Sequence, residues 1–204
     1  MPKKIMNFEW AIRVFDIIVS VTTLLVMSPA LVLVAIWIKL VSPGPVFYTQ
    51  ERVGKGGVPF IIYKFRTMHK DAEATTGVVW AKKSDPRLIK GGKFLKDSHI
   101  DEVPQFLNIL KGDMCVVGPR PERPAFVEQF LKTIPNYKQR LTVKPGLAGL
   151  SQITYDYDKC FEDVVRKVTK DIEYINHRCL LLDMRILFNT FLVVVTHKLW
   201  PIKL

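Results

Sequence analysis

Between Ile17 and Ile38 the chain runs for 22 residues without a charged side chain. As a helix that is about 33 Å, enough to cross the hydrocarbon core of a bilayer. The stretch is too long for the apolar region of a secretory signal, and no small-x-small cleavage pattern follows it. Ser28-Pro29 sits at its centre, where a proline removes one backbone hydrogen bond and clashes with the preceding turn. Both flanks are basic, with Lys3, Lys4 and Arg13 before it and Lys39, Arg52 and Lys55 after it. Lys/Arg-rich flanks stay in the cytoplasm, so two of them favour a helix that breaks at Pro29 and returns to the face it entered from. A proline-kinked straight span stays open, with a buried core helix as the third alternative. On the favoured reading residues 1–41 form a re-entrant helix-break-helix and residues 42–204 a cytoplasmic domain.

That domain is large enough for one ordinary core. The net charge of +11 points to nucleic acid, an anionic membrane surface or phosphorylated substrates as partners. Cys115, Cys160 and Cys179 are widely spaced and outside any CxxC, which fits buried small hydrophobes in a reducing compartment rather than a zinc site. Ser42-Pro-Gly-Pro45 reads as a short stiff linker. The β-rich runs Val46–Gln50 and Pro59–Phe65 flank Gly54-Lys-Gly-Gly57, a hairpin turn that lacks the spacing of a phosphate loop. Helical periodicity covers 98–111, 122–133 and 159–177. Lys144-Pro-Gly-Leu-Ala-Gly149 is a loop whose glycines allow backbone to approach a ligand. The apolar stretch 180–195, interrupted by Asp183 and Arg185 and followed by His197, Lys198 and Trp200, suits an amphipathic helix at the membrane interface or one packed on the core. The fold class is therefore helix-rich α/β, a compact membrane-docked domain with a small β-hairpin or sheet and an N-terminal re-entrant membrane helix.

Two adjacent carboxylates, Asp101 and Glu102, stand before a cationic turn, Pro119-Arg120-Pro121. Such a set can handle a metal-bound phosphate: one carboxylate holds the metal, the guanidinium grips anionic oxygens, and the other carboxylate attacks. The bland alternative is a capping box, since Ser98-x-x-Asp101 fits one. A helix beginning at Asp101 instead would put Pro104 in the first turn, where its missing N–H costs nothing, and Asp101 at a positive helix end. Lys64, Arg66, Arg87, Lys90, Lys93 and Lys96 are readable as a solvated face on anionic lipid. Arg120 is different, because prolines on both sides fix its backbone in one direction.

These blocks together resemble the bacterial sugar-transferase family, the monotopic phosphoglycosyl transferases, over roughly residues 10–195. The resemblance is carried by Ser28-Pro29, Ser42-Pro-Gly-Pro-Val-Phe-Tyr48, Gln50-Glu-Arg-Val-Gly54, Tyr63-Lys-Phe-Arg-Thr-Met68 and Asp85-Pro-Arg87. It continues through Asp101-Glu-Val-Pro-Gln105, Asn108-Ile-Leu-Lys-Gly-Asp-Met114, Val117-Gly-Pro-Arg-Pro-Glu122, Lys144-Pro-Gly-Leu-Ala-Gly-Leu150 and Asp183-x-x-Ile-Leu187.

The resemblance implies transfer of a sugar 1-phosphate from a UDP-sugar to polyprenyl phosphate, with Mg²⁺ and release of UMP, at the cytoplasmic face of the inner membrane. It implies a covalent phosphosugar on Asp101, a metal ligand in Glu102, and substrate contacts from Lys64, Arg66, Arg87, Lys96, Pro119, Arg120, Pro121 and the acidic Asp171. It also implies the small form of the enzyme, with membrane lipids as partners and a homodimer allowed. Several positions depart from the pattern. Lys96 stands where the family has arginine, which keeps the charge and loses the fork. Asp97, His99 and Ile100 are also unusual, and Tyr155-Asp-Tyr-Asp158 replaces a common Gly-Arg-Asn where sugar selectivity would be set. A membrane-anchored scaffold without catalysis is the alternative class. A nucleic-acid binder would need a reading motif or aromatics interleaved with its cations, and neither is found.

Overall fold

The computed structural model describes residues 3–72, 85–155, 160–196, 198–199 and 201–202, with the side chains of the first helix from Glu9 onward. The side chains of Lys3 and Lys4, residues 156–158, His197 and Trp200 lie outside the described residues.

The apolar stretch forms a single helix, α1 (Lys3–Val41), with Pro29 inside it. The break anticipated at Ser28-Pro29 is thus not an interruption of helical structure. Pro29 has no N–H to offer the carbonyl of Leu25, four residues back. Ser28 Oγ donates to that same carbonyl at 2.8 Å, so the acceptor left open by the proline is filled from within the helix. In lipid, where water cannot fill it, this keeps the proline tolerable, and a serine bonded back in this way also favours bending.

Both ends of α1 are seated on the rest of the chain. Near the start, Arg13 donates to the carbonyls of Ile109 and Leu110 at 2.5 and 2.7 Å, and Asp16 accepts the Val116 N–H at 2.8 Å. Near the end, Ile38 is buried against Phe65, Ile89 and Leu95, and Trp37 Nε1 donates to the Lys90 carbonyl at 3.4 Å. No residue from Val21 to Trp37 is buried, and Leu25, Val26 and Leu33 are 69%, 72% and 68% exposed. Soluble monomers rarely offer water a continuous apolar surface of this kind. Glu9–Val41 is the one helix among the described residues long and apolar enough to cross a membrane.

The hairpin forms as read. Strands β1 (Phe47–Val53) and β2 (Pro59–Phe65) pair antiparallel, Phe47 opposite Phe65 and Val53 opposite Pro59, about a 3₁₀ turn at Lys55–Gly57. The periodicity over 98–111 is realised in pieces. Helix α2 (Gly92–Asp97) ends first, a 3₁₀ segment spans Ile100–Gln105, and α3 (Phe106–Lys111) follows. Ser98 does not cap a following helix; its hydroxyl donates backwards to Phe94 and Leu95 carbonyls at 2.7 and 3.2 Å. Pro104 lies inside the 3₁₀ segment, where the tighter i→i+3 bonding spares it the clash with a carbonyl four residues back.

Strand β3 (Cys115–Val117) pairs in parallel with β4 (Gly146–Ala148), and the crossover between them carries α4 (Pro124–Thr133) and a 3₁₀ segment at Tyr137–Thr142. The glycines of the Lys144–Gly149 loop serve this pairing: a Cβ on Gly146 would lie 2.0 Å from the Gly118 nitrogen. Helices α5 (Leu150–Thr154), α6 (Phe161–His177) and α7 (Leu180–Thr196) complete the chain. Ile109, Met114, Val116, Leu150, Ile153, Tyr174 and Ile186 form the largest core cluster. The last helix packs on the core along one side. Leu182, Asp183 and Ile186 of α7 are buried, while Leu181, Met184, Phe188, Phe191 and Val195 make an exposed stripe along its other side.

Candidate active site

Asp101 and Glu102 stand in the first turn of the 3₁₀ segment, which follows His99, a residue held in the left-handed region at φ 57°. Consecutive residues project in different directions, and the two carboxylates meet different surroundings. Glu102 Oε1 accepts from Lys64 Nζ at 2.6 Å and from Arg120 Nη2 at 2.5 Å, and Oε2 accepts from Arg120 Nη1 at 3.2 Å. Burial alone would raise its pKa, but the forked arginine and the lysine outweigh that and hold it well below the ordinary carboxylate range. Among the described residues no hydrogen bond reaches the Asp101 carboxylate. Its pKa is pushed up to about 7, first by burial and then by the charge of Glu102, against the pull of Lys64, Arg120 and Lys96. One acid is firmly ionised and clamped; the other is unclamped and poised near neutrality.

The cations are built in from separate elements. Lys64 lies on β2, whose outer edge is held by Asn108: its Oδ1 accepts the Tyr63 N–H at 3.1 Å and its Nδ2 donates to the Ile61 carbonyl at 2.7 Å. Burial, only partly offset by Glu102, lowers the pKa of Lys64. Arg120 has its pKa raised by the Glu102 charge, and its side chain remains 38% exposed. His99 is lowered by burial and stays neutral at physiological pH.

The other residues read from the sequence as substrate contacts have protein partners of their own. Arg66 is buried and donates to the carbonyls of Pro43 and Ser42 at 2.6 and 2.8 Å, tying the linker to β2. Gly44 makes room for it, since a Cβ there would meet Arg66 Nη1 at 2.8 Å and the backbone has φ +115°. Arg87 forks onto Asp85 at 2.8 and 2.7 Å. Asp171, buried in α6, accepts Arg140 Nε at 2.6 Å. Its link to the dyad is indirect, because Arg140 Nη2 donates to the Arg120 carbonyl at 2.8 Å. Pro119 and Pro121 also act through their carbonyls, which accept Gly146 N–H at 2.9 Å and Arg52 Nη1 at 3.0 Å. A cleft against the turn is lined by Val53, Gly54, Arg140, Leu141 and Val143. Asn108, Tyr137 and Arg140 have no role in the sequence reading, and Arg52 enters it only as a basic flank of the apolar helix. Two of them lie inside the quoted blocks, but the pattern gives no hint of what they hold.

The description of the family whose model matches residues 8–197 is bacterial sugar transferase. A UDP-N-acetylgalactosamine-undecaprenyl-phosphate N-acetylgalactosaminephosphotransferase of Aeromonas hydrophila is 42% identical over 184 residues, 90% of this chain and 43% of that protein. A putative undecaprenyl-phosphate N-acetylgalactosaminyl 1-phosphate transferase of Bacillus subtilis (strain 168) is 52% identical over 144 residues, 71% of this chain and 77% of its own length. A UDP-glucose:undecaprenyl-phosphate glucose-1-phosphate transferase of Escherichia coli (strain K12) is 41% identical over 180 residues, 87% of this chain and 39% of that protein. The chain therefore spans about two fifths of the Aeromonas and Escherichia proteins and about three quarters of the Bacillus one. With a match that takes in the apolar helix, the carboxylate pair and the proline-framed arginine together, the chain belongs to the bacterial sugar transferase family.

Proposed function

We propose that the protein transfers a sugar 1-phosphate from a UDP-sugar to undecaprenyl phosphate, releasing UMP, as the opening step of a surface glycan. The observation that carries this reading is the division of labour within the dyad: Glu102 is clamped by Lys64 and Arg120, while Asp101 beside it is buried and without a hydrogen bond among the described residues. An ionised Asp101 oxygen attacks the sugar-bearing phosphorus of the UDP-sugar. A carboxyl–phosphorus bond forms, the pyrophosphate P–O bond breaks, and its electron pair leaves with UMP. A phosphate oxygen of the acceptor then attacks the same phosphorus, displaces the Asp101 carboxylate and leaves the diphosphate-linked sugar on the lipid. Arg120 and Lys64 are placed to steady the negative charge of the transferring group.

Residues suited to Mg²⁺ are present. Glu102 Oε2 takes only one long hydrogen bond, at 3.2 Å, and so retains lone pairs for a cation. No cluster of three His, Cys, Asp or Glu side chains occurs among the described residues. That fits an ion bound through one or two carboxylates together with substrate phosphates, rather than one caged by protein. Glu102 would hold it, and the ion would supply charge neutralisation at the phosphates.

The exposed middle of α1 and the apolar stripe of α7 support docking on the inner membrane, with the site at its cytoplasmic face. The test is UMP release by purified protein with undecaprenyl phosphate and a panel beginning with UDP-N-acetylgalactosamine and UDP-glucose, the sugars of the relatives' names. Turnover with acceptor, and at most one UMP per protein without it, is expected. Failure of every UDP-sugar would reject the reading, and a phosphosugar trapped on a residue other than Asp101 would reject the nucleophile.

A further inference from the structure

The Pro119-Arg120-Pro121 turn poses a physical problem. Two of its three residues have no N–H, so it has a single backbone donor and depends for its hold on its carbonyls. All three carbonyls are gripped. Pro119 accepts a backbone N–H from Gly146, Pro121 accepts from Arg52, and the middle carbonyl, on Arg120 itself, accepts Arg140 Nη2 at 2.8 Å. Arg140 is oriented on its other edges: Nε donates to Asp171 at 2.6 Å and Nη1 donates to the Tyr137 hydroxyl at 3.0 Å. Arg140 is 8% exposed and Asp171 1%, so this is a buried ion pair whose output is a single bond to the backbone of the arginine that clamps Glu102. A buried pair of this kind adds little stability over an apolar one and is better explained by what it fixes in place.

We propose that Arg140, held by Asp171 and Tyr137, is a positioning residue for the transfer: it pins the middle carbonyl of the turn so that the Arg120 guanidinium stays on Glu102 and leaves Asp101 open to attack. The inference deepens the proposed function and rests on Asp101 being the nucleophile. It gives Asp171 a role at one remove, through Arg140, with no contact to substrate.

The test uses the full chain in lipid nanodiscs with Asp171→Asn, Asp171→Glu and Arg140→Lys. For the UDP-sugar the wild type turns over, kcat should fall about tenfold or more in Asp171→Asn and Arg140→Lys with KM changed less than about threefold, because the lost interaction acts on the transition state. Asp171→Glu, which keeps the charge, should recover part of the loss. Hydrogen exchange supplies an arm independent of activity: amides of the segment Val117–Arg123 should exchange faster in Asp171→Asn, with α7 unchanged. Wild-type kcat in both variants would overturn the proposal, as would a raised KM at unchanged kcat, which marks a ligand contact. Faster exchange throughout the chain marks a merely structural pair and also overturns it. If the wild type releases no UMP from any UDP-sugar, the functional reading fails, and the exchange arm alone still decides whether the pair holds the turn.

Discussion

Replacing Asp101 by asparagine should make the protein more stable, by an amount that depends on pH. Asp101 is an acid whose pKa is raised from 3.8 to about 7 by burial and by Glu102. The folded state therefore holds a proton that the unfolded chain releases. Stability from this group is fully present below pH 3.8 and is lost as the pH rises towards 7. The shift of roughly three units corresponds to about 4 kcal/mol of penalty on the folded state at pH 8, as an upper figure. Asp101→Asn keeps the shape and cannot ionise, so it removes that penalty. For a chain of this size each kcal/mol moves Tm by about 2–4 °C, so the variant should melt several degrees above wild type at pH 8. At pH 5 the wild-type folded state is already protonated, and the advantage should shrink to less than about half. Thermal unfolding of both proteins in one detergent at pH 5 and pH 8 measures this directly. An equal or lower Tm for Asp101→Asn at pH 8, or a gain that does not shrink at pH 5, would refute the picture of a carboxylate held unclamped at a cost to the fold.

Other outcomes follow from individual contacts. Glu102→Gln should cut kcat and raise the Mg²⁺ concentration needed for half-maximal rate, and EDTA should stop the wild type; full activity in EDTA would reject the metal role. Arg66→Met should lower stability by about 2 kcal/mol, by leaving the Ser42 and Pro43 carbonyls without their donor, while KM for the UDP-sugar holds; a raised KM at unchanged Tm would return Arg66 to the substrate site. In a background lacking Cys115, Cys160 and Cys179, single cysteines at Trp10 and Lys55 should both resist an impermeant thiol reagent in intact cells and both react once the membrane is opened. Labelling at position 10 alone in intact cells would mean a simple span.

The long apolar helix, the hairpin and the dyad were legible in the sequence because each is a local pattern: an uncharged run, two β-rich runs about glycines, two acids together. What the sequence hid depends on pairings across long separations. Arg66 looks like any cation of a basic rim, and only the fold shows its guanidinium against carbonyls 23 and 24 residues away. Asp171 and Arg140 lie 31 residues apart, and neither belongs to a pattern that requires the other. The expected helix through Asp101 failed for a local reason that was visible but underweighted. Ser98 ends one helix instead of starting another, and with Pro104 close by the chain takes a 3₁₀ path between α2 and α3.

On the proposed function, that 3₁₀ path changes how Asp101 must be kept ionised. A long helix beginning at Asp101 would have offered a standing positive end to stabilise its charge. A six-residue 3₁₀ segment offers little of this, and burial together with the Glu102 charge pushes the pKa of Asp101 up. The stabilising charge has to come from side chains, and here it comes from Lys64, Arg120 and Lys96, none of which forms a hydrogen bond with Asp101 among the described residues. Two of these cations are committed to Glu102, whose charge opposes the ionisation of Asp101. Any ligand or ion that draws Glu102's charge towards itself therefore frees the field of Arg120 and Lys64 to act on Asp101. On the proposed function, substrate arrival and activation of Asp101 are then linked through one carboxylate. On that reading a clamped glutamate next to an unclamped aspartate withholds full nucleophilicity until the phosphate to be attacked is in place.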